Sequence, residues 1–514
     1  MTQHLVWLKR DLRLADNEAL FSGTREGPCV ILFIIEPELL KSDDFDPSHY
    51  QFIRESLVAV RQQLRAYDAQ LTIRTGESVQ VLNQIFSKYR FDVLHSHQET
   101  GNQKTYRRDL RVKKWTKTHN VKWEEYRQHG VMRRLPQRDG WAKQWTKLMD
   151  SPVFPIPDVI QTIRDIDPGQ IPSLMDLGMR NSQRTSPQKG GEKVAQQMLT
   201  SFLQTRGERY QKEMSSPRTA QYACSRLSAH LSYGNISMRT LYQSTEKRRF
   251  ELREKKTRKE EIGGNWLSSL ASFSKRLRWH CHFMQKLEDQ PEIEFENMAR
   301  VYDGLREPYF NSHFFESWCR GQTGYPMVDA CMRCLAQTGW INFRMRAMLI
   351  SFASYHLWLH WRPTALFLAK KFIDYEAGIH FAQCQMQSGT TGINAIRIYS
   401  PIKQVHDHDP AGEFIRQWVP ELAGVSSKLI AQPELMTKIE QIQSGCIIEQ
   451  DYPRPLVEHK DAVSQARSKI YQIRNRKGSR EEAQRIYVKH GSRKRPQKRR
   501  SKATEKTKQQ SLKL

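Results

Sequence analysis

The 514-residue chain has room for about three domains at about 150 residues each, and its 38% hydrophobic and 10% aromatic content, with 12 Trp, excludes a largely disordered protein. Lys plus Arg number 82 against 55 for Asp plus Glu, a formal charge of +27, which favours a polyanionic partner such as nucleic acid or an anionic membrane surface. The longest apolar run, Cys29 to Ile35, is far short of the roughly 20 residues a membrane span requires, and MTQHLVWLKRDLRL places charges where a secretory signal has its apolar stretch, so a soluble intracellular protein without membrane partners is expected.

From Met1 to about Gly130, short β-type runs (HLVWLKR, CVILFIIEP, QLTIRTG, DVLHSHQ, VKWEEYRQ) alternate with helical patterns such as SHYQFIRESLVAVRQQLRAY. This rhythm predicts a doubly wound parallel sheet, a Rossmann-like α/β domain over 1–130. No G-x-G-x-x-G follows the first run, so the standard dinucleotide fingerprint is absent. Residues 131–200 mix Pro, Gly, Ser and charge and read as an interdomain linker. Over 201–465 helical patterns rich in Trp, Met, Phe and His predict an all-α domain, with KRRFELREKKTRKEE (247–261) as an exposed helix or loop. Residues 466–514 read as a basic, disordered tail. Its last part, Lys489 to Leu514, carries eleven Lys/Arg and one Glu, a net +10 available to DNA by counterion release, to a targeting receptor, or only for solubility. RKRPQKRR suits a nuclear signal in a eukaryote or a DNA-binding extension in the cytoplasm of a bacterium.

Among eight Cys the only close pair is Cys331 and Cys334, with no second pair at zinc spacing, so reduced thiols and no metal site are expected. Tyr210 precedes Cys224-Ser225-Arg226-Leu227-Ser228, where two hydroxyls and several amides open a helical pattern. That arrangement suits a phosphate, or simply a helix cap. In SFSKRLRWHCHFMQ, Arg276, Trp279, His280 and Phe283 fall at i, i+3, i+4 and i+7 and share one helix face. A cation, an indole, an imidazole and a phenyl together suit an extruded base, or an amphipathic helix with core aromatics and solvated charges.

The segments GQTGYPMVDACMR, GW-x-x-x-R-x-R, and RIYSPIKQ followed by DHDPAGEFIRQWVPEL resemble the FAD-binding domain of the photolyase/cryptochrome superfamily. WLKRDLRLADNEAL, SRLSAHLSYGNIS and DYPRPLVEHKDA extend the likeness, in order, to about residue 465. The resemblance implies FAD held by Tyr210, Cys224, Ser225, Arg226, Leu227 and Ser228 at its phosphates, and by Phe273, Arg344, Asp374, Tyr375 and Glu376 along the flavin, with Arg344 paired to Asp374. It implies a monomer that binds DNA containing pyrimidine dimers through Arg276, Trp279, His280, Phe283, Phe343, Met345, Met386 and Gln404. A second antenna chromophore of folate or deazaflavin type is implied too, with Gln98 and Glu99 loosely matching a folate site.

The likeness has gaps. The family's lesion-binding Glu and the Arg after its Trp are here Arg276 and His280. An Asn facing flavin N5 is His380, another Asn is Phe343, and a pocket Trp is Met386. The family's three-Trp electron-transfer chain maps onto Cys384, Trp361 and Trp318, so the flavin-proximal indole is missing and Trp340, Trp358 or Tyr399 is expected to replace it. The implied activity is blue-light repair of pyrimidine dimers, with Trp318, Trp361 and His380 in the photochemistry. The alternative is a photoreceptor without repair activity.

Overall fold

Strand β2 (Cys29–Ile35) contains no charged residue and is buried along its whole length, as a strand covered by helices on both faces must be. The computed structural model describes residues 2–25, 27–180, 182, 184–185 and 187–491. Strand β2 belongs to a five-stranded, all-parallel sheet with β1 (His4–Leu8), β3 (Leu71–Thr75), β4 (Val93–His97) and β5 (Lys122–Tyr126), in the order β3-β2-β1-β4-β5. Leu5 stands between Val30 and Leu94. The two-residue period sorts the strands cleanly. Val6, Leu8, Ile31, Phe33 and Ile35 pack with Tyr50, Leu57, Val60 and Leu64 of the helix Pro47–Arg65. Leu5, Trp7, Val30, Leu32 and Ile34 pack on the other face with Val81, Leu82 and Ile85 of the helix Ser78–Lys88 and Val112 and Trp115 of the helix Gln103–Thr118. The strand order reverses between β1 and β4, so the loops leaving these strands open a crevice at their carboxyl ends.

The first loop also docks the domain. Leu12 donates its N–H to the Tyr233 carbonyl (3.2 Å), Asn235 Nδ2 donates to the Leu12 carbonyl (3.1 Å), and buried Arg13 donates to the Gly234 carbonyl (3.0 Å). Thus KRDLRL and LSYGNIS, two separate motifs in the sequence, are each other's partners across the domain boundary.

Two expectations about connecting segments are corrected. The segment 131–200, read as a linker, contains the helix Trp141–Met149 and most of the helix Glu192–Gln204. Trp141, Trp145 and Met149, four residues apart on one face, enter a core with Leu199, Phe202, Leu241, Leu270 and Leu277. Residues 466–491, read as disordered tail, complete the helix His459–Arg474 and form the helix Ser479–His490. Their apolar residues are few, but Ile470, Ile473 and Ile486 are buried in the main helical core. The Glu482 carboxylate accepts the backbone N–H groups of Arg300 and Val301, and the His490 ring bonds the Gln290 side chain at 2.7 Å. The folded part therefore extends at least through the helix Ser479–His490, and the basic segment 492–514 lies outside the described residues. The stretch 247–261 is largely the outer half of the helix Met238–Thr257. Among the described residues no helix is long and apolar enough to cross a membrane.

Candidate functional site

The helix Phe343–Ser351 presents Phe343, Arg346, Ala347 and Ile350, and the helix Ala377–Ser388 with the two residues before it presents Tyr375, Glu376, Ile379, His380, Gln383, Cys384 and Gln387, to one cavity of about 150 Å3. Both sets follow the three-to-four-residue repeat of a helix face. Ser228 and Ser232, Asp374, and His280 of the long helix Trp266–Asp289 complete its wall.

Asp374 anchors the polar side. It is buried and receives both terminal nitrogens of Arg346, at 3.0 and 2.9 Å, in a bidentate pair. Burial works to raise its pKa, but the Arg346 charge and bonds, with the Ser228 hydroxyl, hold it below the usual carboxylate range. Arg346 is itself fixed by the Ile341 carbonyl (2.7 Å) and by lying 4.1 Å over the Phe372 ring. The expected Arg344–Asp374 pair is therefore corrected to Arg346–Asp374. Two residues along a helix turn the side chain by about 200°. Arg344 instead acts on Asp407 and His408.

Glu376 is held by Arg10 from the loop after β1, Nη1 to Oε2 at 3.3 Å. Burial raises its pKa to about 7 against that charge. Its other oxygen, Oε1, is buried without a partner, as are Nδ1 of His280 and Oε1 of Gln383 on the same cavity. Each such orphaned group costs about 1–3 kcal/mol unless something binds it. Burial pushes His280 and His380 down to about 4, so both are neutral. His380 contacts the Ala365 carbonyl at 2.8 Å through Nε2; a carbonyl only accepts, so Nε2 carries the proton.

Beside this cavity the loop Cys224–Ser228 is drawn together by Arg206, which donates to the carbonyls of Tyr222, Cys224, Ser225 and Met198 at 2.5–3.2 Å. Arg226 stands in the left-handed region (φ 61°) and lies 3.9 Å over Trp340, and burial lowers its pKa to about 10. Leu227 is core. Tyr210 and Phe273 pack with Phe202, ring centroids 4.6–5.7 Å apart, underneath the loop rather than on the cavity wall.

The expected nucleic-acid face divides. Trp279 is 42% exposed and Phe343, which also lines the cavity, 49%. Arg276 is exposed and His280 joins the cavity wall, whereas Phe283 is buried under Trp279 and Lys286. Met345 and Gln404, expected to touch DNA, are corrected: Met345 is fully buried in the helical core and Gln404 is buried. Met386 is half-buried and off the cavity face of its helix.

Of the expected electron-transfer chain, Cys384 lines the cavity, its sulfur 3.7 Å from His380. Trp361 is buried, donates to Asn297 Oδ1 at 2.8 Å and stands edge-on to Phe381 at 6.4 Å. Trp318 is buried against Phe367. Sequence reasoning missed Arg346, Arg206, Arg10 and Gln383. The helical repeat counted from Phe343 and Glu376 picks out Arg346 and Gln383, whereas no local pattern marks Arg206 or Arg10.

The family profile described as the FAD binding domain of DNA photolyase matches residues 273–472, and that of DNA photolyase matches 4–135. The chain belongs to the photolyase/cryptochrome superfamily. It is 27% identical to a cryptochrome DASH of Gloeobacter violaceus, over 88% of this chain and 93% of that one. It is 27% identical to the deoxyribodipyrimidine photo-lyase of Escherichia coli, over 90% and 97%. An archaeal photolyase structure from Sulfolobus tokodaii, titled as holding two FAD molecules, overlays with a TM-score of 0.74 at 23% identity, over 92% of this chain and 100% of that one. The superfamily thus accounts for both domains, and its FAD-binding profile covers every cavity residue but Ser228 and Ser232.

Proposed function

We propose that this chain is a blue-light-dependent FAD flavoprotein that splits pyrimidine dimers in DNA, a deoxyribodipyrimidine photolyase-type carbon–carbon lyase. The observation that carries the reading is the cavity itself, flanked by a bidentate Arg346–Asp374 pair, lined with buried polar atoms that lack partners and bordered by an exposed phenyl. Those residues fit a flavin. Asp374 and Arg346 would hold its polar edge, and Glu376, His280 and Gln383 have free valences for it. The loop Cys224–Ser228, shaped by Arg206, would take the phosphates. Bound there, the flavin would supply light-driven one-electron chemistry, opening the cyclobutane ring with no net redox change.

The chain's own part is positioning. Trp279 and Phe343 offer exposed aromatic faces on which an extruded base can stack, Arg276 supplies a cation beside them, and neutral His280 sits between that surface and the cavity. The basic surface and the segment 492–514 would hold phosphates without reading sequence. A separate cleft of about 510 Å3 between the domains, walled in part by Asn102, Tyr106, Arg138 and Arg485, has room for a second chromophore of folate, deazaflavin or flavin type. Glu99, part of the loose folate match, also lines that cleft, but its carboxylate is already paired with Arg10 and Arg108.

The second reading, a cryptochrome-like photoreceptor without repair, draws on Arg276 where the family has its lesion-binding Glu and on Cys384 in place of an indole. One experiment separates the two. Purified protein is loaded with FAD and given oligonucleotides containing a thymine dimer, in blue light and in the dark. Light-only reversal supports repair. Flavin photochemistry without reversal supports the photoreceptor, and no uptake of FAD refutes both.

A further inference from the structure

Tyr375 stands between two cavities. Its ring lines the 150 Å3 cavity assigned to the flavin and also a cavity of about 110 Å3 at the crevice of the N-terminal sheet. Its hydroxyl donates to Oδ2 of Asp44, a residue of the N-terminal domain, at 2.6 Å, and both residues are buried. Asp44 also accepts from Asn102 Nδ2 (2.8 Å) and Ser42 Oγ (2.5 Å). Burial works to raise the Asp44 pKa, but these three hydrogen bonds hold it below the usual range, so the carboxylate is ionised, with the Tyr375 hydroxyl already aimed at it.

The rings around Tyr375 are His49, stacked at 6.2 Å, His380 at 5.3 Å and Phe381 at 6.3 Å. Burial keeps both imidazoles neutral, each at about 4. Arg10, a cation whose charge reaches Tyr375, is itself paired with Glu376 and Glu99, and the Glu294 carboxyl acts on the phenol as well. The indoles expected to replace the missing proximal Trp are placed differently. Trp340 lies under Arg226 at 3.9 Å, and Trp358 has Arg306 at 4.6 Å and Lys469 at 4.5 Å. Removing an electron from a ring creates positive charge, which a neighbouring cation opposes and a neighbouring carboxylate favours. The cations beside Trp340 and Trp358 therefore disfavour both indoles, and the Asp44 carboxylate favours Tyr375.

We propose that Tyr375 is the electron donor at the flavin cavity and that Asp44 takes its phenolic proton as the electron leaves. The O–H bond of Tyr375 breaks and an O–H bond forms on Asp44. Tyr375 is oxidised by one electron to a neutral phenoxyl radical, and the acceptor is light-excited oxidised flavin. The assignment rests on the flavin reading above and deepens it.

The test uses the full chain loaded with FAD. Electron paramagnetic resonance after illumination should show a neutral tyrosyl radical, light-minus-dark infrared spectra should show a newly protonated carboxyl, and photoreduction should slow in D2O. Tyr375→Phe should abolish the radical and the carboxyl band. Asp44→Asn should remove the band and slow photoreduction by about a hundredfold, the scale of a lost general base. The radical, the band and the isotope effect are read on the unaltered protein, so they hold even if Asp44→Asn fails to fold. A tryptophanyl radical in the unaltered protein, or unchanged photoreduction in flavin-loaded Tyr375→Phe, overturns the assignment. Failure of the unaltered chain to bind FAD overturns the flavin reading first, and this proposal with it.

Discussion

Exchanging the two arginines of the R-x-R motif one at a time tests the site most sharply, because the family likeness points to Arg344 and the geometry to Arg346. In Arg346→Ala the Asp374 carboxylate, 3% exposed, loses a bidentate partner and keeps only the Ser228 hydroxyl and the more distant charge of Arg226. Breaking a buried ion pair by removing one partner costs about 3–5 kcal/mol. Arg346 is itself 24% exposed and Arg226 stays nearby, which places the loss at the lower end, about 3 kcal/mol, or more than a hundredfold in the folding constant. Arg344→Ala removes a half-buried guanidinium that acts on Asp407 and His408 at the surface, so its cost should stay below about 1 kcal/mol. Urea unfolding of the flavin-free proteins followed by circular dichroism measures both, and the fraction of FAD retained after gel filtration gives an independent reading. Combining Arg346→Ala with Asp374→Asn should recover part of the loss, since the stranded charge is then gone. If Arg344→Ala strips the flavin and destabilises the protein while Arg346→Ala does neither, the pairing described here is wrong.

Acid should destabilise the flavin-free protein between about pH 6.5 and 4. His230, His280 and His380 are each pushed down to about 4 by burial, so in that window the unfolded chain takes up protons that the folded chain does not. Glu376, raised to about 7, runs the other way and adds stability as pH falls from 7 towards 4.5, so Glu376→Gln should steepen the acid loss; a shallower loss contradicts the assigned burial. Trp279→Ala should leave the melting temperature unchanged, since the ring is 42% exposed, yet weaken binding to dimer-containing oligonucleotides by about 1–3 kcal/mol in fluorescence titration. Deleting 492–514 should instead lower the salt dependence of binding to damaged and undamaged DNA alike, and a selective loss of dimer preference on deletion would reverse those two roles.

How much of this was legible in the residues follows from which forces are local. The β-sheet was readable because strands buried on both faces must be apolar throughout, as CVILFII is, and the helical domain because its periodicity is long and repeated. In 466–491 the helices hold the core by a few apolar residues set among charges, Ile470, Ile473 and Ile486, and tertiary burial decides what composition alone leaves polar. In 131–200 the apolar helix faces of WAKQWTKLM and EKVAQQMLTSFLQ are short and are separated by a long stretch of Pro, Gly, Ser and charge, which hides their period. At the site, the residue types were visible but the partners were not. Asp374 needs a guanidinium, and R-x-R offers two; only the face shared with Phe343, Ala347 and Ile350 selects Arg346. Arg10 and Asp44 lie 366 and 331 residues from the groups they touch, and no spacing rule reaches across a domain boundary. The same distance gives these contacts their consequence. Tyr375 and Glu376 belong to the helical domain, but Asp44 and Arg10, which they bond, belong to loops of the N-terminal domain, so that domain helps to tune the cavity electrostatically. Substituting Arg10 or Asp44 should therefore be felt in the helical domain's chemistry while the fold of that domain stays intact.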